Sequence, residues 1–336
     1  MRVGGAVLLV LAVVAGCGEL RSEQGFASGG RMIQPITDTV AVVGGSEQDT
    51  LLYTPTMLAF FGGGVAVWDR DRAQILAFGR DGTLRWRYGA KGSGPGEFAG
   101  VTQLSVDDQD RIWVLDPDNV RISILGSDGR LVRAFPIPDV GHADRLAPLG
   151  GGRALLMGLE PTVYTIDDQG NLLSSAPHPY AAYATLNPLS AYNRALYDAA
   201  TDSTVFFFYY GGGFARTDGT LTPTAQLDSY IEPIPFPEVI VEQTENADGS
   251  VSTSTMVNAS RLAASSGSAA AGVLSLLFQG DTEYGHRVID NYSVGSGAYL
   301  GSWLLPDSAR AIAVEDGLVA TLVEDPYPAL IIRRAP

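Results

Sequence analysis

Short apolar runs bounded by turn-forming residues recur along the chain and predict β-strands. The clearest lie at residues 65–68, 75–78, 112–115 and 122–125, where valine, isoleucine, leucine and aromatic residues dominate. Runs of this length that end near glycine, proline or aspartate are typical of buried strands and are too short for most helices. We therefore expect a fold built mainly from short strands.

A turn containing glycine recurs at a regular spacing and is followed two residues later by leucine or tyrosine. Successive turn glycines are separated by 47, 41, 49 and 78 positions. These glycines are Gly82, Gly129, Gly170, Gly219 and Gly297. A four-stranded propeller blade consumes roughly 40 to 50 residues, and each blade has apolar faces that only its neighbours can cover. The spacing therefore predicts a stack of blades with one interruption.

The longest spacing indicates an insertion between the fourth and fifth units. Residues 230–256 contain three prolines, an alternating stretch at 239–241, a turn at 246–249 and a second polar and β-branched stretch at 251–253. Two such stretches around a short turn are typical of a β-hairpin. We expect an inserted hairpin within residues 230–256.

The end of the chain predicts how the ring closes. After Gly297 only three strand-like segments remain, at residues 311–314, 318–323 and 329–333, and none is followed by a further turn and strand. Residues 33–43 alternate like a strand but have no blade of their own. Pairing them with the C-terminal strands would leave no long sheet edge exposed. The predicted fold is all-β, a six-bladed β-propeller over residues 33–336, closed by an N-terminal strand that completes the last blade.

The N-terminus has the order of regions found in secretory signals. Arg2 precedes an apolar run at residues 6–15, which is too short to span a bilayer and ends in small residues before Cys17. Residues 14–17, Val-Ala-Gly-Cys, resemble the lipobox of bacterial lipoproteins. This resemblance implies a signal peptide at residues 1–16 and lipidation of Cys17.

Cysteine usage is consistent with that interpretation. Cys17 is the only cysteine in the chain, so no disulfide partner explains it. Residues 17–32 would then be the lipidated cysteine and a flexible tether, which places the protein at the cell envelope with the membrane as partner. Gly18 stands where aspartate would resemble an inner-membrane retention signal. We therefore expect the outer membrane if the organism has two membranes.

Composition and charge exclude several classes. A hydrophobic fraction of 46% with 18% charged residues fits a globular chain rather than a disordered one. The net charge is −15, and Lys91 is the only lysine. Proteins that bind nucleic acids do so largely by neutralising phosphates with Lys and Arg, so we expect no nucleic-acid partner. We expect a monomer.

Residues 92–98, Gly-Ser-Gly-Pro-Gly-Glu-Phe, are followed by strand motifs at 104–107 and 111–116. This part of the chain resembles the NHL-repeat blade and bacterial six-bladed β-propeller lipoproteins. The glycine run fails the dinucleotide fingerprint, because Glu97 occupies the position of the third glycine. Its structural interpretation is a turn in which Glu97 accepts backbone amides and Phe98 inserts between blades.

Aromatic residues concentrate in two long linkers that should emerge on one face of the propeller. Long loops on a rigid scaffold commonly build binding surfaces, although these side chains could instead pack on the propeller itself. The candidate ligand-binding residues are Tyr180, Tyr183, Tyr192, Tyr230 and Phe236.

Acidic residues in the loops between second and third strands are candidate metal ligands. Asp116, Asp118, Asp281 and Glu283 should lie on the same face as the aromatic linkers, where carboxylates could bind Ca²⁺. The alternative interpretation is ordinary solvated turns, because no complete calcium-loop motif is present. We expect no other cofactor.

The chain lacks the commonest catalytic motifs. The three histidines, His142, His178 and His286, are far apart, and there is no Gly-x-Ser-x-Gly elbow. We therefore expect a non-catalytic envelope module that binds a peptide, protein or glycan. The alternative is a metal-dependent hydrolase, lactonase or lyase with a site in the axial channel, as in some six-bladed relatives.

Overall fold

The computed structural model describes residues 30–158, 160–179, 193–224, 227–234, 239–245, 251–257 and 262–336. Strands dominate these residues, and their only helical element is a three-residue 3₁₀ turn at Pro117–Asn119. No helix in the described ranges has the length and apolar character needed to cross a membrane.

The first half of the chain forms two N-terminal strands and three blades. Strands β1 (Ile33–Pro35) and β2 (Thr39–Gly44) come first. Each of blades 1 to 3 then consists of four consecutive antiparallel strands. Blade 1 contains β3 (Pro55–Phe61), β4 (Gly64–Asp69), β5 (Gln74–Gly79) and β6 (Leu84–Tyr88); blade 2 contains β7 (Gln103–Val106), β8 (Ile112–Asp116), β9 (Arg121–Leu125) and β10 (Leu131–Pro136); blade 3 contains β11 (Arg145–Leu149), β12 (Arg153–Met157), β13 (Thr162–Asp167) and β14 (Leu172–Pro177).

The second half forms blades 4 to 6 and a separate hairpin. The hairpin pairs antiparallel in its own two-stranded sheet and extends one residue beyond the segment 230–256 where an insertion was expected. Blade 4 contains β15 (Asn193–Asp198), β16 (Ser203–Phe208), β17 (Gly213–Thr217) and β18 (Asp228–Ser229); the hairpin is β19 (Val239–Glu245) and β20 (Val251–Val257); blade 5 contains β21 (Ala264–Ala270), β22 (Val273–Phe278), β23 (Val288–Ser293) and β24 (Tyr299–Leu304); blade 6 contains β25 (Ala311–Glu315), β26 (Leu318–Val323) and β27 (Ala329–Arg334).

The apolar runs of the sequence are buried on both faces of each blade. In β4, Val65 and Val67 pack in the cluster shared with blade 6, whereas Ala66 and Trp68 pack in the cluster shared with blade 2. Successive side chains of a strand point to opposite faces, so a strand between two neighbours must be apolar at every position. A hydrophobic cluster lies at each of the six interfaces between neighbouring blades.

The ring closes as the sequence predicts, by addition of β2 to the last blade. β2 pairs antiparallel with β27, from Thr39 opposite Arg333 to Gly44 opposite Ala329. The resulting six-bladed propeller is therefore confirmed. Residues 33–35, which were also expected to pair with the C-terminal strands, do not join the last blade. Instead, β1 pairs in parallel with β24 and adds a fifth strand to blade 5.

The N-terminal segment thus links two blades. Between β1 and β2, Ile36 is 2% exposed and packs in the cluster between blades 5 and 6, and its amide donates to Leu304 O over 2.9 Å. Full burial of one isoleucine contributes about 1.5 to 3 kcal/mol. Because one segment covers the edges of two blades, the closure is stronger than a single added strand would provide.

Arg31 anchors the start of this segment. Its guanidinium is fully buried and forms a bidentate pair with Asp290, through Nε at 2.9 Å and Nη2 at 2.8 Å. It also contacts Glu232 and lies 4.1 Å from the centre of the Phe278 ring. Burial disfavours the charged form, but the carboxylates of Asp290 and Glu232 outweigh that cost and raise the pKa of Arg31.

The recurring glycine turns join third and fourth strands. Gly82, Gly129 and Gly170 have φ values of +83°, +79° and +87°, a left-handed conformation that glycine adopts without strain. Blade 4 differs, because Leu221 takes the left-handed conformation there and Pro223 has no amide to donate. A single bridge joins Thr217 to Pro223 directly after the turn, and the fourth strand, Asp228–Ser229, is only two residues long.

The order of the strands defines two faces of the ring. The linker face carries the connections from second to third strands and from each fourth strand to the next blade. The turn face carries the connections from first to second and from third to fourth strands. Each innermost strand, the first of its blade, therefore begins at the linker face and ends at the turn face.

Candidate functional site

An axial channel of about 770 Å³ passes between the innermost strands of the six blades. Segments of β3, β7, β11, β15, β21 and β25 all line it. A volume of this size is in the range of ligand pockets in proteins. Every blade therefore contributes to the lining of this channel.

Charged side chains are segregated along this channel. The lining arginines, Arg194 and Arg310, stand at the starts of innermost strands, on the linker face. The lining carboxylates all follow or end innermost strands, on the turn face; they are Asp107, Asp108, Asp110, Asp198, Glu315 and Asp316.

Most of the acidic residues at the turn face join neighbouring blades. Asp110 accepts the Gly62 amide of blade 1 over 2.8 Å, and Asp108 accepts the Gly151 amide of blade 3 over 3.0 Å. Similar contacts connect Asp198 with blade 5 and Glu315 with Arg80 of blade 1. These carboxylates have structural partners and stabilise the ring.

Arg194 extends across the linker-face end of the channel. Its Nε donates to Gln103 Oε1 over 3.2 Å, although these residues belong to blades 4 and 2. Gln103 is 4% exposed, and its Nε2 donates to Ser105 Oγ over 2.8 Å. Arg310, in contrast, is paired with Glu324. Sequence reasoning missed Arg194 and Gln103, because each is a single polar residue without a motif.

The linker face also carries the longest connections of the propeller. Fifteen residues separate β14 from β15, and 34 residues, including the hairpin β19–β20, separate β18 from β21. Connections between first and second strands on the turn face have only two to five residues. The two long connections flank blade 4, whose innermost strand carries Arg194.

The candidate aromatic residues are distributed differently from the expectation. Tyr180, Tyr183, Tyr192 and Phe236 lie outside the described residues. Tyr230 is 7% exposed, and its hydroxyl donates to Phe208 O over 2.8 Å. Its ring stacks on Phe214 in the core between blades 4 and 5. Tyr230 therefore packs in the interior, which was the alternative interpretation, and does not present a surface ring.

Asp116 is a structural residue. It is 1% exposed and accepts hydrogen bonds from the amides of Ala99 and Gly100 and from Asn119 Nδ2. Asp69 at the same place in blade 1 accepts the amides of Tyr53 and Thr54. A carboxylate at the end of a second strand thus fixes the loop that leads into its own blade.

The other three candidate metal ligands are exposed. Asp118 lies in the loop of blade 2, and Asp281 and Glu283 lie in the corresponding loop of blade 5. Within the described ranges no three histidine, cysteine or acidic side chains form a group that could hold a metal ion. The structure therefore does not bring the four candidates together.

The three histidines remain apart. His142 and His286 are exposed on loops. His178 lies against Phe206 with ring centres 4.9 Å apart and contacts Asn193 Oδ1 at 3.3 Å. Burial, with a smaller contribution from Arg145, lowers the pKa of His178 to about 4, so its ring is neutral at physiological pH.

The glycine run at residues 92–98 has a structural role. Glu97 accepts the Gly94 amide over 2.8 Å, and Arg121 donates to Gly94 O. Phe98 is 1% exposed and meets Trp68 edge to face at 5.4 Å between blades 1 and 2. The motif orders the linker between these blades.

Comparisons with known proteins agree with this architecture. A family model described as a 6-bladed beta-propeller matches residues 46–124, which include blade 1 and most of blade 2. No curated protein matches the sequence.

Solved structures with the same fold have very different sequences. The Pan2 WD40 domain of Neurospora crassa superposes with a TM-score of 0.52 at 11% identity, covering 90% of this chain and 98% of that one. A Bacteroides fragilis protein described as exported superposes with a TM-score of 0.51 at 10% identity, covering 90% of this chain and 95% of that one. Raptor of Chaetomium thermophilum superposes with a TM-score of 0.53 at 13% identity, covering 90% of this chain and 30% of that one. The chain is thus similar to β-propellers in fold.

Proposed function

We propose that this protein is a lipid-anchored, non-catalytic binding module of the cell envelope, whose linker face binds a peptide, protein or glycan. The observation that carries the proposal is the asymmetry of the ring. The longest connections and the arginine end of the channel share one face, whereas the connections between first and second strands on the other face are short and are joined to neighbouring blades. Binding residues are commonly placed on long loops that a rigid scaffold positions.

The start of the described N-terminal segment lies beside blade 5. β1 pairs in parallel with the outer strand β24, with Ile33 opposite Ser302. A tether leading to a lipid on Cys17 would therefore join the ring at the outer edge of blade 5.

Removal of the hairpin tests the proposal. We expect that replacing residues 238–258, which contain β19 and β20, by a short Gly-Ser linker reduces capture of the bound partner from envelope extracts by about tenfold or more, because contact area on the linker face is lost. The fold should persist, since β19 and β20 form their own sheet. Quantitative affinity capture and thermal melting measure both properties.

The matched control is a double substitution elsewhere on the surface. Leu172 and Leu173 are each 51% exposed on the outer strand of blade 3, and their replacement by serine removes apolar surface away from the linker face. This control should capture the partner as the unmodified protein does. Equal capture by the hairpin-deleted protein, with an unchanged melting temperature, would contradict the proposal.

A further inference from the structure

The linker-face end of the channel holds a positive charge that lacks a negative partner. Arg194 makes a single hydrogen bond within the described residues, to the neutral Gln103, and no ion pair. The lining carboxylate on its own strand is Asp198, four residues away and therefore about 13 Å along the strand. That distance exceeds the screening length of about 8 Å at physiological salt.

The guanidinium of Arg194 is fixed while its outer nitrogens stay available. Gln103 accepts from Nε, which leaves Nη1 and Nη2 without a protein hydrogen bond. Neither nitrogen is fully buried, and Arg194 lines the channel. Thr56 and Ser265, like Arg194, are the second residues of innermost strands, and both line the same end of the channel.

We infer that the linker-face mouth of the channel is a carboxylate-binding site, in which Arg194 pairs with the carboxylate and the hydroxyls of Thr56 and Ser265 supply further polar contacts. The inference rests on the proposed function and deepens it by naming the chemical group that the linker face recognises. The carboxylate can come from a small free acid or from an acidic side chain or C-terminus of a peptide.

The charges of the channel favour a singly charged group. Arginine offers a planar pair of donors that matches the two oxygens of a carboxylate. One arginine balances one negative charge, and six carboxylates at the far end of the channel disfavour groups with more charge. Because those carboxylates line the turn-face end, an anion should enter from the linker face only.

The test is calorimetric titration of the purified full-length Cys17→Ser protein with two probes. One probe is butyrate, which carries a single carboxylate, and the other is a short peptide whose only charged acidic group is its free C-terminus, compared with the same peptide amidated at that end. We expect saturable binding of one or both, with one site per chain. Binding of butyrate identifies the free acid as sufficient, and binding of the free-C-terminus peptide alone identifies the peptide as the source.

Three substitutions locate the site. Arg194→Gln removes the charge, and Gln103→Glu supplies an internal carboxylate beside Arg194; each should weaken binding by about tenfold or more while melting at a similar temperature. Arg133→Gln is the control, because Arg133 is exposed on the outer strand of blade 2. The inference is wrong if neither probe binds the protein. It is also wrong if the Arg194→Gln and Arg133→Gln proteins bind the probes with equal affinity. Neither result changes the hairpin-dependent capture that tests the proposed function.

Discussion

A chain that starts at Gly45 should be insoluble or should melt far below a chain that starts at Arg31. The shorter chain lacks β2, so the backbone groups of β27 lose their antiparallel partner and blade 6 is left with an open edge. The clusters at both ends of the missing segment also lose Ile36, Ala41 and Val43, which are buried. An unpaired apolar edge strand is a template for aggregation.

An intermediate truncation separates the two roles of the N-terminal segment. A chain that starts at Thr37 keeps β2 but loses β1 and Arg31, which leaves Asp290 buried without its bidentate partner. Breaking a buried ion pair costs about 3 to 5 kcal/mol. We expect this chain to be soluble and to melt between the other two.

Thermal melting and sedimentation of the soluble fraction measure the series. The chain that starts at Arg31 is the reference, because it keeps every N-terminal contact described above, and it should melt like the Cys17→Ser protein. Relative to the chain that starts at Arg31, the chain that starts at Gly45 should have a free energy of unfolding lower by more than about 5 kcal/mol and a melting temperature lower by roughly 10 °C or more. Equal melting temperatures for the chains starting at Arg31 and Gly45 would refute closure by β2.

Substitution Cys17→Ser should release the protein from membranes completely. Stable anchoring by lipid needs more than one acyl chain, and Cys17 is the only cysteine that could carry them. The substitution should also leave residues 1–16 attached, because cleavage of this class of signal follows lipidation of the cysteine. Fractionation of cells, followed by mass measurement of the protein, reports both outcomes.

The control for this experiment is Ser22→Ala, which changes a hydroxyl residue of the tether and leaves Cys17 in place. It should remain in the membrane fraction. If the Cys17→Ser protein also stays in that fraction after a high-salt wash, the apolar residues 6–15 themselves hold the chain at the membrane and the lipid anchor is wrong.

The architecture was accessible from the sequence because it rests on repetition. Buried second and third strands are apolar at every position, and the turns between third and fourth strands require a left-handed residue, so glycine marks them. The count of leftover strands then predicted the partner of β27. These signals are local or depend only on spacing, and they survive sequence drift.

Features made by contacts across the ring were not accessible in the same way. β1 is three residues long, and its parallel pairing with β24 depends on blade 5 being assembled. Tyr230 stands in a proline-rich linker, where the sequence suggests an exposed loop. Its ring is buried because its neighbours Phe214 and Tyr292 come from two different blades that meet only in the folded ring. Arg194 and Gln103 lie 91 positions apart, and only the channel brings them together.

The most direct measurement of the central claim is site-specific photo-cross-linking in intact cells. A photoreactive residue is placed at Asp118 or Gln243 in linker-face connections, and at Asp128 or Ser296 in turn-face connections, all of which are exposed or partly exposed loop or hairpin positions. Binding through the linker face predicts cross-linked products from the first pair and none from the second. Cross-linking confined to Asp128 and Ser296 would contradict the account.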